Sequence, residues 1–583
     1  MSWKIAFFAA VGFLCAAAAG AVILKKRRIK PLYLLGGGVT LAAMTLFIPV
    51  YAQLIKKDTF YWLKVVLLSV HNTIRLFVVD GEFSTISAYT DQLSGWIGSL
   101  YSILAVVLFV VAPLLTFGVV LSFFKNITAY KNYLLGYKKN AYIFSDLNER
   151  ALALAKSLKQ NDPKRMIVFT DVFEKNEEES YELVEHARAL GALCFQKDIA
   201  VVNFVRHAAD TEMAFFIIGE DSGENTKQAI TLIRKYRNRE RTSVYVVSPG
   251  VDSELLLSTT EKGKVKVRRI NEVQALISRT LYDDGIRIFE NACETENGDK
   301  RISVVIVGMG KYGTEMTKAL SWFGQMDGYR LEMNVFDKKK NTKGRLSALC
   351  PELMTKPYNG DFTTEGEAHY EISVHAGIHT ETKEFLDQLC EIPKPTYVFV
   401  ALGDDEKNIE MAVRIRSWLA KFDIWPVIDA IVYNTDKKNA LQGITNYSGQ
   451  EYDIHFIGDL ESSYSEKVIL DSDVEAEALK RHLKWGEEEQ FWKYEYNYRS
   501  SMASAIHKKM KILCKIPGAD KPVEERTPEE REGLRVLEHN RWNAYMRSEG
   551  YTFDEKRNNL AKTHHCLVEF EKLSLKEQMK DDD

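Results

Sequence analysis

From Ile5 to Leu24 the chain reads IAFFAAVGFLCAAAAGAVIL without a charge. A helix of that length, at about 1.5 Å per residue, crosses a hydrocarbon layer of about 30 Å. Leu32 to Ile55 is also uncharged, with Gly36-Gly37-Gly38 permitting close helix contact and Pro49 permitting a kink. A third uncharged run extends from Leu93 to Phe124, interrupted by Pro113. The pattern predicts spanning helices at about 5–24, 32–55 and 93–124 within a membrane region of residues 1–130.

The segment from Thr59 to Asp80 is apolar except for Lys64, His71 and Arg75, which share one helical face. It reads as an amphipathic helix over 59–80, interfacial or re-entrant, with a true span as the alternative. Lys25, Lys26, Arg27, Arg28 and Lys30 cluster between the first two runs, which places that loop in the cytoplasm. The N-terminus is then outside, and residues 125–583 are cytoplasmic in a multi-pass protein of the plasma (inner) membrane. A cleaved signal peptide is the competing reading of the first run. Lys4 is the only charge before that run and the positive cluster follows it, which favours an anchor.

After Lys125 the periodicity changes: short β-rich runs alternate with helical patterns, as in a parallel α/β sheet. The expected strands are 141–145, 166–170, 193–196, 213–218, 243–247 and 265–269, a complete Rossmann-like count. A second series follows at 303–307, 331–336, 370–374, 397–401, 425–431 and 454–457. Between them ETENGDK, residues 294–300, reads as a linker. The expected domains are therefore 131–295, 296–470 and a C-terminal region, 471–583.

The second series carries the sharper chemistry. VVIVGMGKYG places Gly308, Gly310 and Gly313 between a strand and a helix, with Lys311 among them. In such a turn the first glycine bends the chain, the second admits a pyrophosphate to the backbone and the third packs helix on strand. Asp337 lies 24 residues beyond Gly313, where an acid accepts hydrogen bonds from a ribose diol. Gly403 and Asp404 follow the fourth strand, either at the ligand edge or as a helix cap. The bound species expected is NAD or another adenine nucleotide, a retained but empty turn being the alternative. In the first series the corresponding turn is Phe144-Ser145-Asp146-Leu147-Asn148, without glycine. Ser145 and Asp146 read as N-caps there, and the unit as structural.

Two such units behind membrane helices resemble the regulator-of-potassium-conductance (RCK) or Trk-type NAD-binding domains. The resemblance rests on YIFSDLNERALALAKSL in the first unit and on VVIVGMGKYG with Asp337 in the second. It implies Gly308, Gly310, Gly313 and Asp337 as nucleotide contacts, and domains that move the attached membrane helices. No TVGYG-like filter occurs in 1–130, which sets the chain apart from potassium pores.

In the C-terminal region, TPEEREGLRVLEHNRWNAYMRSEGYTF followed by THHCLVEFEKLSLKEQMKDDD resembles the ryanodine-receptor (RyR) repeat domain. The matching positions are Glu538, His539 and Trp542 on one helix, Gly550-Tyr551, and His565, Leu567, Phe570 and Leu573. Glu538, His539, Arg541, Trp542 and Tyr545 would form a small-ligand pocket, an aromatic ring stacking a base and Arg541 reaching an anion. The other reading is a core tryptophan beside a surface ion pair. His564-His565-Cys566 looks like a metal cluster, but adjacent side chains are expected to diverge, and no metal site is assigned.

Composition adds constraints. With 77 Lys+Arg against 80 Asp+Glu the net charge is −3, so no basic field supports nucleic-acid binding. Seven cysteines without a CxxC suit a reducing compartment. The mean hydropathy of −0.21 is the average of an apolar first 125 residues and a charged remainder. The fold class is α/β: a transmembrane helical bundle, two tandem Rossmann-like parallel sheets and a mainly helical RyR-like domain. The expected partners are the lipid bilayer, a small-molecule nucleotide and further copies of the chain. The leading function is nucleotide sensing that regulates the transmembrane bundle, as a channel, a transport-like protein or a membrane-acting effector, and not an enzyme. A membrane-anchored NAD-dependent oxidoreductase and a scaffold with empty Rossmann units stand beside it. Against the first, no YxxxK behind a matching serine is present in the second unit.

Overall fold

The computed structural model describes residues 2–581 except 27–31, 79, 81–82, 173–177, 205–206, 249–250, 297, 355–369 and 471. It falls into two compact units, Met1–Leu135 and Gly136–Asp583. Arg27, Arg28 and Lys30 of the basic cluster lie outside the described residues.

The first unit is helical: α1 (Trp3–Lys26), α2 (Leu32–Leu54), α3 (Tyr61–Phe77), α4 (Phe83–Thr90) and α5 (Trp96–Leu135). Among the described residues, three helices, α1, α2 and α5, are long and apolar enough to cross a membrane. Pro49 and Pro113 both lie inside helices. The Tyr101 hydroxyl donates to the Leu46 carbonyl and ties α5 to α2. In α3 the usual polarity is reversed. Its buried face includes Ser69, Asn72 and Thr73, whereas Trp62, Leu63, Leu67 and Ile74 are exposed. Ser69 and Thr73 donate back to the carbonyls of Val65 (2.8 Å) and Ser69 (2.7 Å). Small hydroxyl residues inside and large apolar ones outside suit a helix surrounded by lipid rather than water. On the flank expected to be polar, Lys64 pairs with Asp58, Arg75 lies 3.2 Å from Asp80 and His71 is exposed.

The second unit holds two large parallel sheets. The first contains β1 (Ala141–Phe144), β2 (Met166–Phe169), β3 (Leu193–Cys194), β4 (Met213–Ile217), β5 (Thr242–Val247) and β6 (Lys266–Ile270), in the Rossmann-like order 3-2-1-4-5-6. After β7 (Cys293–Glu294) the second contains β8 (Lys300–Val307), β9 (Tyr329–Asp337), β10 (Tyr370–Ala376), β11 (Tyr397–Val400), β12 (Val427–Ile431) and β13 (Ile454–Ile457). Its order, 10-9-8-11-12-13, repeats the first. The stretch read as a linker closes a hairpin: Glu294 pairs antiparallel with Lys300, and Gly298 takes φ +86°.

Strands buried on both faces need covering layers, and the two sheets obtain part of theirs from each other. The helix Glu272–Asp284 follows β6, yet its Leu276, Ile277 and Leu281 lie in the core of the second sheet with Met316 and Leu320. Conversely, Tyr464, Val468 and Ile469 follow β13 but lie in the core of the first sheet with Leu154 and Phe169. Arg165 anchors that return through Glu466 at 2.6 Å. The helices Glu495–Leu513 and Pro528–Ser548 share the core of the second sheet, through Ile506, Met510 and Tyr545. The latter helix opens with a capping box formed by Thr527 and Glu530.

One asparagine in each half ties the loop after the fourth strand of its sheet to the end of the fifth. The Asn225 amide accepts from Gly219 N (3.1 Å) and donates to Gly219 O and Val247 O, both at 2.8 Å. Asn408 accepts from Leu402 N (2.6 Å) and donates to Ile431 O (2.7 Å). We predict that Asn408→Ala, which strands two buried backbone groups, destabilises by about 1–3 kcal/mol per group. Urea unfolding of the detergent-solubilised chain measures this, and an unchanged midpoint would refute the clamp.

Candidate functional site

The three glycines of the second unit differ in what surrounds them. Gly308 takes φ +95°, and a Cβ there would stand 2.4 Å from the Ala401 carbonyl oxygen. At Gly313 a Cβ would stand 1.9 Å from the Gly308 carbonyl oxygen. Gly310 has nothing within 4 Å of that position, and both it and Lys311 are exposed. One glycine therefore makes the turn, one seats the helix, and the middle one leaves the backbone accessible. Gly310 is the N-cap of the helix Lys311–Phe323, which has no side-chain cap and no acid in its first turn. Its first amides, with Lys311 beside them, form a positive end suited to an anion.

Asp337 is 8% exposed and its carboxylate is already engaged. It accepts from Met309 N and Lys339 N, each at 2.7 Å, and so fastens the glycine turn to the end of β9. Lys338, Lys339 and Lys340 are exposed. Gly403 takes φ +86° with open space around it. Asp404 is the N-cap of the helix Asp405–Ala420, accepting from Lys407 N at 3.0 Å. Of the two readings of Asp404, the cap is the one the geometry displays.

Several side chains gather at this edge that spacing could not reveal. Asp405 accepts from Tyr433 N (2.8 Å) and Asn434 N (2.9 Å), joining the loops after β11 and β12. Arg150, from the helix after β1 of the first sheet, pairs with Glu272 at 3.2 Å and lies over the ring of Tyr464. Tyr312 sits among these groups. Burial pushes its hydroxyl up to about 12, with Glu272, Tyr433 and Asp405 adding to the shift and Arg150 opposing it. The carboxyl edge of the second sheet is thus bordered by an arginine that follows β1 of the first sheet.

The corresponding turn of the first sheet is filled by its own side chains. Asn148, rather than Ser145 or Asp146, is the N-cap, accepting from Ala151 N at 2.9 Å and donating to Ile218 O at 2.7 Å. Ser145 Oγ accepts from Ile218 N at 3.1 Å, and Asp146 accepts from the neighbouring Leu147 N. An asparagine that reaches both neighbouring chain segments displaces the other candidates from the cap.

The five residues expected to form one C-terminal pocket go to three places. Glu538 and Arg541 are buried together, Oε1 lying 2.9 Å from Nη2 and also accepting from Ser504 at 2.7 Å. Lys511 (3.5 Å) and Arg481 (3.9 Å) reach the other carboxylate oxygen. The ion pair is therefore in the core, not on the surface. His539 contacts the Val568 carbonyl (2.9 Å) and Asp581 (3.2 Å), while the Trp542 ring meets His564 edge-on. Tyr545 lines a cavity.

That cavity, of about 140 Å³, is walled by β6, by the flank of the glycine helix and by the C-terminal helices. A chain of alternating charges runs along it: Lys318 to Glu549 (2.8 Å), Glu549 to Arg499 (3.7 Å), Arg499 to Glu495, Glu495 to Arg269 (2.7 Å) and Arg269 to Glu254 (3.1 Å). Burial raises the Glu315 pKa, and Lys318, 3.7 Å away, offsets this only in part. The ligating atoms of His564, His565 and Cys566 lie within 4.8 Å of one another. The expected divergence of these neighbours does not hold, because the His564 and His565 rings stack at 7°. Burial holds His564 down to about 4, and its Nδ1 accepts from Cys566 N.

Comparison with known proteins gives no match: no protein-family model fits the chain, and no curated protein is similar to it in sequence.

The Glu538 cluster generates a pH prediction. Burial opposes the carboxylate, but Arg541, Lys511 and Arg481 together hold its pKa below the usual range. One carboxylate serves three cations, and burial leaves Lys511 at about 7 against its ordinary 10.5. Between those values the unfolded chain binds the extra proton, so stability rises with pH. We predict that Lys511→Met raises the melting temperature at pH 7 and removes part of its rise toward about pH 9.5. Parallel pH dependences of the variant and the parent would refute the assignment.

Proposed function

We propose that the chain is a membrane-embedded nucleotide sensor. NAD or another adenine nucleotide binds at Gly308–Gly313, and occupancy biases the state of an N-terminal transmembrane bundle. The observation that carries this reading is the division of labour among the glycines: two are required by packing, while the exposed Gly310 is required by nothing inside the protein. In this reading the pyrophosphate lies over Gly310 and the first turn of the helix Lys311–Phe323, with Lys311 nearby. Asp337 already serves two amides and keeps further acceptor capacity for a ribose hydroxyl.

The transmission element is α5, which continues the third apolar run without a break to Leu135, six residues before β1. A ligand shifts such an equilibrium by its differential affinity for the two states. The tandem units act as RCK-like domains and the C-terminal region as an RyR-like domain. The N-terminus is outside, and the chain assembles with further copies of itself. The output is ion permeation, transport or membrane perturbation.

Gly310 adopts φ −73° in open space, a conformation any residue tolerates. Gly310→Glu is therefore expected to fold as the parent does, whereas Gly313→Ala, blocked by a backbone oxygen, loses roughly 1–3 kcal/mol or more. The full chain in nanodiscs is titrated with NAD, NADH, ATP, ADP and AMP while thermal unfolding is followed. A ligand at 100 times its dissociation constant adds about 2.7 kcal/mol to the parent. Gly310→Glu, carrying a like charge into the anion site, abolishes that shift. Absence of any shift, or an undiminished shift in Gly310→Glu, sinks the proposal, and turnover of the nicotinamide favours the oxidoreductase.

A further inference from the structure

We propose that the cavity between β6, the glycine helix and the C-terminal helices is a second effector site, for an aromatic monoanion or dianion of the nucleoside-monophosphate class. None of the glycine-turn residues lines it, so it is separate from the site proposed above.

Three observations carry the assignment. The first is aromatic surface: Trp322, Phe491, Trp492, Tyr498 and Tyr545 all contribute to the lining, from three separate segments of the chain. Trp492 and Tyr498 are themselves ring neighbours at 6.5 Å, tilted by 35°. Rings of this kind offer a planar heterocycle a surface that aliphatic side chains do not.

The second is the distribution of charge. Six cations and four carboxylates line the space. The carboxylates are taken up by the alternating chain through Lys318, Arg499 and Arg269. Lys262 lies apart from that chain. Its ammonium donates to the carbonyls of Lys493 (3.1 Å) and Trp492 (3.4 Å), and among the described residues no carboxylate forms an ion pair with it. Burial lowers its pKa, with Glu495 opposing, so an arriving phosphate would gain a charge-assisted donor that burial has left short of an anion. Lys266 lies 4.3 Å from the neighbouring Trp492 ring and adds to the positive field, while Arg268, 5.3 Å from the same ring, is paired with Glu475.

The third is place. Glu315, Lys318 and Trp322 stand on the same helix whose N-terminus carries Gly310. A ligand here therefore touches the flank of the element that would hold a nucleotide at its end, and it bridges that helix to Glu549 of the C-terminal helices through Lys318.

The test uses the full chain in nanodiscs, photolabelled with 8-azido-AMP and mapped by peptide mass spectrometry, with AMP and adenosine affinities measured by calorimetry. Labelling is expected within residues 488–503 or 545–549, and it persists in Gly310→Glu. AMP is expected to bind at least about 10-fold tighter than adenosine, the difference a charge-assisted hydrogen bond supplies. Lys262→Met should remove that difference and Lys262→Arg should restore part of it. Equal affinities of AMP and adenosine for the parent chain overturn the proposal without recourse to any variant. So does labelling confined to residues 305–315, or labelling at neither place. Loss of labelling in Gly310→Glu would also overturn it, whereas persistence there with no thermal shift from NAD leaves this site standing and the glycine-turn reading refuted.

Discussion

Each of the two parallel sheets is completed by the other half of the chain. A sheet buried on both faces cannot leave its apolar strands open to water, so the layer over each face has to come from somewhere. Here the helix after the sixth strand of one sheet is buried in the core of the next, and the segment after the last strand of the second returns to the core of the first. The exchange makes the two halves mutually dependent. It also brings Arg150 and Glu272 of the first half beside Tyr312 of the second.

The same constraint explains the C-terminal region. The helices Glu495–Leu513 and Pro528–Ser548 share the apolar core of the second sheet, and so carry their polar groups into low dielectric. Glu538 compensates Arg541, Arg481 and Lys511 there, and Lys318, Glu549, Arg499, Glu495 and Arg269 alternate along the neighbouring cavity. Burial makes each of these groups costly without its partner, so alternation is a condition of folding rather than a surplus of stability. The helix Lys311–Phe323 then has two unlike faces to work with: an uncapped N-terminus open to solvent, and a flank set into that charged and aromatic cavity.

Much of this is legible in the sequence. The strands of both sheets fall within a few residues of where β-rich runs alternate with helical patterns, and Ile454–Ile457 is unchanged. The glycine turn was legible because its three glycines stand between a strand and a helix. Other features were not. Asn148 is the cap because it accepts from Ala151 N while donating to Ile218 O, 70 residues away in sequence, whereas Ser145 Oγ is taken up by Ile218 N. Glu538, His539, Arg541, Trp542 and Tyr545 are neighbours on one helix, but a helix turns each toward a different partner, so their proximity in sequence implied a pocket that they do not share.

Local patterns alone therefore determined the apolar helices, the twice-repeated strand order and the position of the accessible glycine. Each of these depends on periodicity or on backbone conformation within a short window. Tertiary structure decided which carboxylate meets which cation, that α3 buries its hydroxyl face, and that a cavity opens between Lys262, Trp322 and Glu549. Those facts depend on residues of different elements being brought into contact. Desolvation, which assigns the partners, acts only once the cores have closed.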